Sequence, residues 1–197
     1  AGLRPPDPGC PGLAPPAPPS GRGNWDEATA AAGAADRAAL VARFVAASGL
    51  PAAGYCATGA VRSAFGNTAG QRVAGRCTAA TVDGIARTTT ADGSARRTAV
   101  KMTDLPVAAL GLAAGQKARA ASDPIELSPG EYPVVLEPGC TRDLLAFLAQ
   151  HCFNAWAVVE GRSPARLGEQ QFDPALSFSD DATDAAATSL PHDAEGT

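Results

Sequence analysis

An α+β (mixed α/β) fold is predicted: an N-terminal antiparallel sheet with helices, followed by the truncated start of a β-rich second domain. Three observations carry this. Between Gly54 and Met102, alternating runs are separated by Asn67-Thr-Ala-Gly70 and Ala91-Asp-Gly-Ser94, turn signals that suit an antiparallel meander. Asp36–Ala47 and Pro106–Ala121 flank those runs with apolar residues at helical spacing. From Ser128 a proline-bounded apolar run gives way to a helix-period stripe, which marks a new domain. The division expected is a Pro-rich linker or disordered arm over 1–23, an α/β domain over 24–127, and an incomplete domain over 128–197.

The arm has eight prolines in its first twenty residues, which bars helix and central strand and favours extended polyproline II. Asn24 then reads as a helix cap, with Glu27 placed to reach back in a capping box and Ala28–Ala32 continuing the helix. Gly33 interrupts and Asp36 restarts it. Leu40, Val41, Phe44 and Val45 form a narrow stripe, and Ser48-Gly49 before Pro51 ends it. Gly54–Gly66 reads as two short strands and Gln71–Thr81 as another, with Val73 and Cys77 on the face opposite Arg72 and Arg76. Asp83–Arg87 continues weakly, the Asp92-Gly93 turn follows, and Arg96–Met102 returns. Asp104 can cap the helix from Pro106, whose face holds Val107, Leu110 and Ala114.

The chain's organising stretch is Ser128–Val159. Tyr132–Leu136 reads as a buried strand, stopped by Pro138-Gly139. Leu144, Leu148, Cys152, Ala155 and Val159 then share one helix face, with Asp143 near the positive end of the macrodipole. Glu160–Pro164 breaks the helix. Ala175–Ser179 reads as a strand with Leu176 and Phe178 inward, Ala182–Ser189 as a loop and Pro191–Thr197 as a turn.

Composition narrows the function. From Gly161 on there are seven acids against two arginines, while the rest of the chain is close to neutral. Such a balance gives no basic face for nucleic acid. The five cysteines form no CxxC pair, so reduced thiols in a cytoplasmic protein are expected. No signal peptide is visible, and no apolar run reaches the roughly 18–20 residues of a membrane helix. The start at Ala1 and the stop at Thr197 suggest a fragment.

Several short motifs occur in order. They are a "PGxYxVVLxP" run at Pro129–Pro138, "LLxxL" at Leu144–Leu148, Glu160–Gly168, Leu176–Asp181, and Pro191-His-Asp-Ala-Glu-Gly-Thr197. Together they resemble the TldD/PmbA family of metalloprotease-like proteins, in the order of its PmbA (TldE-like) branch. Phe65-Gly-Asn-Thr-Ala-Gly70 resembles a further family turn. The resemblance implies an "HExxxH"-type zinc helix after the "VVLxP" strand in catalytic members. Two histidines would bind the ion and the glutamate would act as general base. Here the first histidine's slot holds Ala146, the glutamate's holds Phe147, and only His151 fills a ligand slot. The chain has one other histidine, His192, and a Cys140/His151/Cys152 set would face divergent directions on the helix. Ser163 lies in no nucleophile elbow, and Asp180-Asp181 reads as a strand end. No phosphate loop or dinucleotide fingerprint is present. His192-Asp-Ala-Glu-Gly196 resembles the family's "PFDxEG" turn, with His192 where the family usually has an aromatic. His192, Asp193, Glu195 and Gly196 are therefore candidates for a signature turn or a peptide contact.

The resemblance thus implies a non-catalytic subunit without its own cofactor. It would pair in the cytoplasm with a TldD-like subunit that holds the zinc, and the pair would process or degrade unfolded peptides. The alternatives are a stand-alone binding or scaffold protein on the same fold, or an active metalloprotease whose ligands lie beyond Thr197.

Overall fold

The computed structural model describes residues 12–197; the expectations for residues 1–11, Cys10 included, lie outside them. Two compact units divide the chain. One holds Leu13–Ser128 together with Asp181–Thr197, and the other holds Pro129–Asp180. The architecture is mixed α/β, with an antiparallel sheet as expected.

In the first unit the sheet has the order β1-β2-β3, with β1 over Ala52–Gly66, β2 over Arg72–Arg87 and β3 over Asp92–Ala99. The two short strands expected over Gly54–Gly66 are one continuous strand. Every residue of β1 is in register with β2, from Ala52 opposite Ala86 to Gly66 opposite Arg72. Ladder pairing overrides the weak local propensity of its glycines and alanines. The second hairpin turns earlier than expected: Thr88 N donates to Ala91 O, so Asp92-Gly93 opens β3 instead of forming the turn. Arg87 and Asp92 then face each other across the ladder, with Nε to Oδ1 at 2.6 Å.

Helix α1 spans Glu27–Ala31, α2 Ala34–Ser48 and α3 Val107–Ala120. Asp26, and not Asn24, caps α1: its Oδ2 accepts from Thr29 N at 2.7 Å. The amide of Asn24 is spent elsewhere, on the carbonyls of Asp184 and Ala187. Asp36 Oδ2 accepts from Gly33 N at the start of α2, and Gly49 in the left-handed region closes the helix. Asp104 does not cap α3. It ends a 3₁₀ turn over Met102–Asp104, and Pro106 stands at the cap position.

Leu40 and Phe44 of α2, Val107 and Ala114 of α3, and Ala80, Val82 and Ala86 of β2 form the core. Close approach depends on glycine. A Cβ on Gly111 would lie 2.3 Å from Phe44 O, and one on Gly84 would strike the Phe44 ring at 2.5 Å.

β2 is buried on opposite faces along its length. Ala80, Val82, Gly84 and Ala86 lie under the helices, whereas Val73 and Cys77 are buried on the other face. The C-terminal residues cover that other face. The Pro191 ring sits over Gly75, where a Cβ would be 2.2 Å away, and Gly196 lies against Phe65. The sequence reading puts 128–197 in one domain. Asp181–Thr197 instead returns to the sheet, because the apolar residues of β2's first half need a cover. Residues 12–23 form no helix or strand. They are fastened rather than free: Ala14 O accepts from Asn67 Nδ2, and Ala17 bonds through both its N–H and its C=O to Gln71.

In the second unit α4 covers Pro138–His151 and α5 Ala155–Val159. The single helix expected from Thr141 to Val159 is therefore split. Asn154 breaks it and caps α5, its Oδ1 accepting from Trp156 N at 2.9 Å. Neither expected strand forms. Tyr132–Leu136 is irregular, with Val135 98% exposed, and Ala175–Ser179 is irregular, with Leu176 and Phe178 exposed. No neighbouring strand among the described residues supplies the ladder that would satisfy these backbones. The apolar face expected over 144–159 is largely uncovered. No residue of α4 is buried, and Leu144, Phe147, Trp156 and Val159 all face solvent.

Candidate functional site

Two places carry the candidate residues, and each belongs to a different unit.

The first is α4. Pro138 at the first turn suits a helix start, since its missing N–H is one the first turn leaves unbonded in any case. His151 stands in the last turn, exposed, with its ring 4.4 Å from that of Phe147. The Phe147 ring, one turn earlier, lies tilted at 43° against the imidazole. Cys140, exposed at the other end of the helix, is roughly 16 Å from His151 along the axis. Cys152 is half-buried at the cap, and its carbonyl accepts from Ser163 Oγ. Zinc needs three N, S or O donors converging with a fourth position open. One imidazole packed on a phenyl ring does not fit that requirement. Among the described residues no cluster of three His, Cys, Asp or Glu side chains is placed to hold a metal ion.

Beside α4 lies a groove of about 1000 Å³ in which Gln170, Gln171, Ser177 and Ser179 stand among apolar side chains. Leu145, Phe153, Phe172, Leu176 and Phe178 line it. Phe172 bridges the other two rings edge-on, at 6.1 Å from Phe153 and 5.3 Å from Phe178. Asp180 is among the residues lining the groove; Asp181 belongs to the other unit, where its Oδ1 accepts from both Thr183 N and Thr183 Oγ1.

The second place is the turn at His192–Thr197. Asp193 organises it: Oδ1 accepts from the N–H groups of Glu195 and Thr197, and Oδ2 from the Thr197 hydroxyl. These bonds, led by that from the Thr197 backbone, hold the Asp193 carboxyl below its ordinary range. Gly196 adopts φ +82, and a Cβ there would strike the Phe65 ring at 2.3 Å. Its carbonyl accepts from the buried Gln71 amide. Glu195 is exposed. His192 is buried, at 7% exposure; its Nδ1 is 2.9 Å from Asp193 O, and its Nε2 has no hydrogen-bond partner. Asp193 and Gly196 make the turn, His192 packs under it and Glu195 points outward.

Sequence reading missed two groups beside this turn. Gln71 ties Ala17 to Gly196, and nothing in its local context marks it. Trp25 stacks with the Arg62 and Arg76 guanidiniums at 5.1 and 4.8 Å, and its Nε1 is buried without a partner. The Arg62–Arg76 juxtaposition comes from strand register, which only the folded sheet reveals.

Comparison with known proteins cuts across the division into two units. Residues 129–197 match the family model of the PmbA/TldA metallopeptidase C-terminal domain. No curated protein matches the chain. A Thermotoga maritima crystal structure, described as a candidate modulator of a DNA gyrase, is similar with a TM-score of 0.58 and 17% identity. The match covers 71% of this chain and 35% of that one, so the present chain spans about a third of that structure's length. At this identity the likeness concerns the fold. Among the described residues no helix is long and apolar enough to cross a membrane. The motif order from Pro129 to Thr197 is thus matched by the family model of that domain, and the fold by the Thermotoga structure.

Proposed function

We propose that this chain is part of a non-catalytic, PmbA-like subunit of a TldD/PmbA-type metalloprotease assembly that processes or degrades unfolded peptides. The observation that carries the reading is α4. The positions that would hold the first zinc histidine and the general base are Ala146 and Phe147, and His151 packs on Phe147. In this reading zinc and its activated water belong to a TldD-like partner in the cytoplasm. The present chain contributes surface. The groove, lined by Phe153, Phe172 and Phe178 together with Gln170, Gln171 and Ser177, offers both apolar contact and hydrogen-bonding groups to an unfolded peptide. The His192–Gly196 turn is a second candidate peptide contact, with Glu195 as its exposed group.

The test mixes the purified protein with its TldD-like partner and follows cleavage of an unfolded peptide, with zinc measured on each component. Cleavage above that of the partner alone, with zinc confined to the partner, is the expected result. Stoichiometric zinc on this chain, or turnover by this chain alone, overturns the reading. A mixture no more active than the partner favours a stand-alone binding protein.

A further inference from the structure

Arg62 and Arg76 form a like-charge pair that the peptide-processing reading leaves unused. β1 and β2 hold them directly opposite each other. Like charges in that position weaken a strand pair. Trp25 offsets part of this, because both guanidiniums lie over its ring, at 5.1 and 4.8 Å. Stacking occupies the flat face of a guanidinium and leaves the N–H fork at its edge for an acceptor. On Arg76 that acceptor is Glu27, whose Oε1 is 3.2 Å from Nη1. On Arg62 there is none among the described residues. The nearby Asp26 carboxylate is spent on Thr29 N. The indole Nε1 of Trp25 is a further donor, buried without a partner. Two guanidiniums and the Glu27 carboxylate thus leave one positive charge unmatched.

Beside Arg62 is an open cleft of about 470 Å³. Trp25 and Glu27 line it with Arg62, and so do Ala30 and Ala31 of α1 and Ala60 of β1. The three alanines keep the space next to the guanidinium clear. We propose that this cleft binds a carboxylate of a peptide, held bidentately on the Arg62 fork, with the adjoining aliphatic stem against the alanines and the indole. Glu27 on Arg76 is the same contact made within the chain. Charge selects the ligand: the unmatched positive charge balances one carboxylate, whereas a phosphate dianion would meet stronger repulsion from Glu27. A glutamate side chain and a peptide C-terminus both supply the group.

The site lies in the first unit and owes nothing to the residues of α4, so this inference and the peptide-processing reading can fail separately. The test follows tryptophan fluorescence of the purified chain carrying Trp156→Phe, which leaves Trp25 as its one indole. Four probes are titrated: an Ala-Glu-Ala peptide blocked at both ends, its Ala-Gln-Ala counterpart, an Ala-Ala-Ala peptide with a free C-terminus, and inorganic phosphate. A carboxylate peptide is expected to bind with a Kd on the order of 1 mM, and the tighter of the two identifies the source of the group. The Gln peptide should bind at least roughly tenfold more weakly. Arg62→Gln should weaken the carboxylate peptide by a similar factor, and Glu27→Gln, which frees the second fork, should tighten it several-fold. Arg62 and Glu27 are both exposed, so these variants keep the fold, which circular dichroism checks. Failure of both carboxylate peptides to bind overturns the proposal. So does a Gln peptide that binds as well as the Glu peptide, or binding indifferent to Arg62→Gln. Phosphate bound more tightly than either carboxylate peptide overturns it as well.

Discussion

Gln71 shows how much one buried amide can hold. It is 1% exposed, accepts from Ala17 N, and donates to both Ala17 O and Gly196 O. Gln71→Ala strands the carbonyl of Gly196, a buried residue, and frees the exposed Ala17. A buried group left without a partner costs about 1–3 kcal/mol, so urea unfolding should show a loss of at least that size. Asp193 sets a pH dependence at the same turn. Its carboxyl is held below the ordinary range, first by the Thr197 N–H. Its contribution is therefore complete above the unfolded value of about 3.9 and lost as the pH falls through the lower folded value. Amide exchange at Glu195 and Thr197 should accelerate on acidification below that range. Asp193→Asn should exchange fast even at neutral pH; identical profiles would remove the carboxylate from this role.

At the scale of the element, the α2–α3 contact tests which of two opposed effects wins. Helix propensity favours alanine over glycine by about 1 kcal/mol in a helix interior. Gly111 and Gly115, however, lie where a Cβ would be 2.3 Å from the carbonyls of Phe44 and Ser48. These are backbone atoms and cannot swing aside, so the helices must separate. Overpacking of this kind costs about 1–3 kcal/mol and outweighs the propensity gain. Gly111→Ala is expected to lower the melting temperature, whereas a scale of propensity alone expects a rise. Asp26→Ala, which removes the α1 cap, should cost about 1 kcal/mol by the same measurement.

Across the first unit as a whole, the segment around residues 21–24 and the C-terminal segment together secure the first half of β2. Thr78 N donates to Asn24 O, and Gly21 N to Pro191 O, so the two segments brace each other as well as the strand. Removing Asp181–Thr197 should uncover Val73, Phe65 and Cys77 while leaving the helix-covered core in place. The thiols report this. Cys140 is exposed and should react with a thiol reagent at once in either form. Cys77 is buried, and burial pushes its thiol up, so it should be slow in the intact chain. In the shortened chain Cys77 should react many times faster with far-UV circular dichroism nearly unchanged. An unchanged rate would mean that the tail does not cover it.

The amino-acid sequence by itself determined the features whose causes lie within a few residues. These are the core positions Leu40 and Phe44 of α2 and its Gly49 stop, the span of α3, and the antiparallel order of the strands, whereas Val41 and Val45 of the expected stripe are exposed. Helix period, terminators and residue identity are local facts. Only the tertiary structure decided the features that depend on a distant partner. Fifteen residues of β1 became one strand because β2 lay alongside, while Tyr132–Leu136, with better strand residues, stayed irregular for want of a neighbour. Asn24 lost the cap to Asp26 because the tail claimed its amide. His192 was buried because the first half of β2 needed cover on the face away from the helices. Backbone polar groups and apolar surface must be satisfied by whatever chain the fold brings near, and sequence neighbours do not reveal which chain that is.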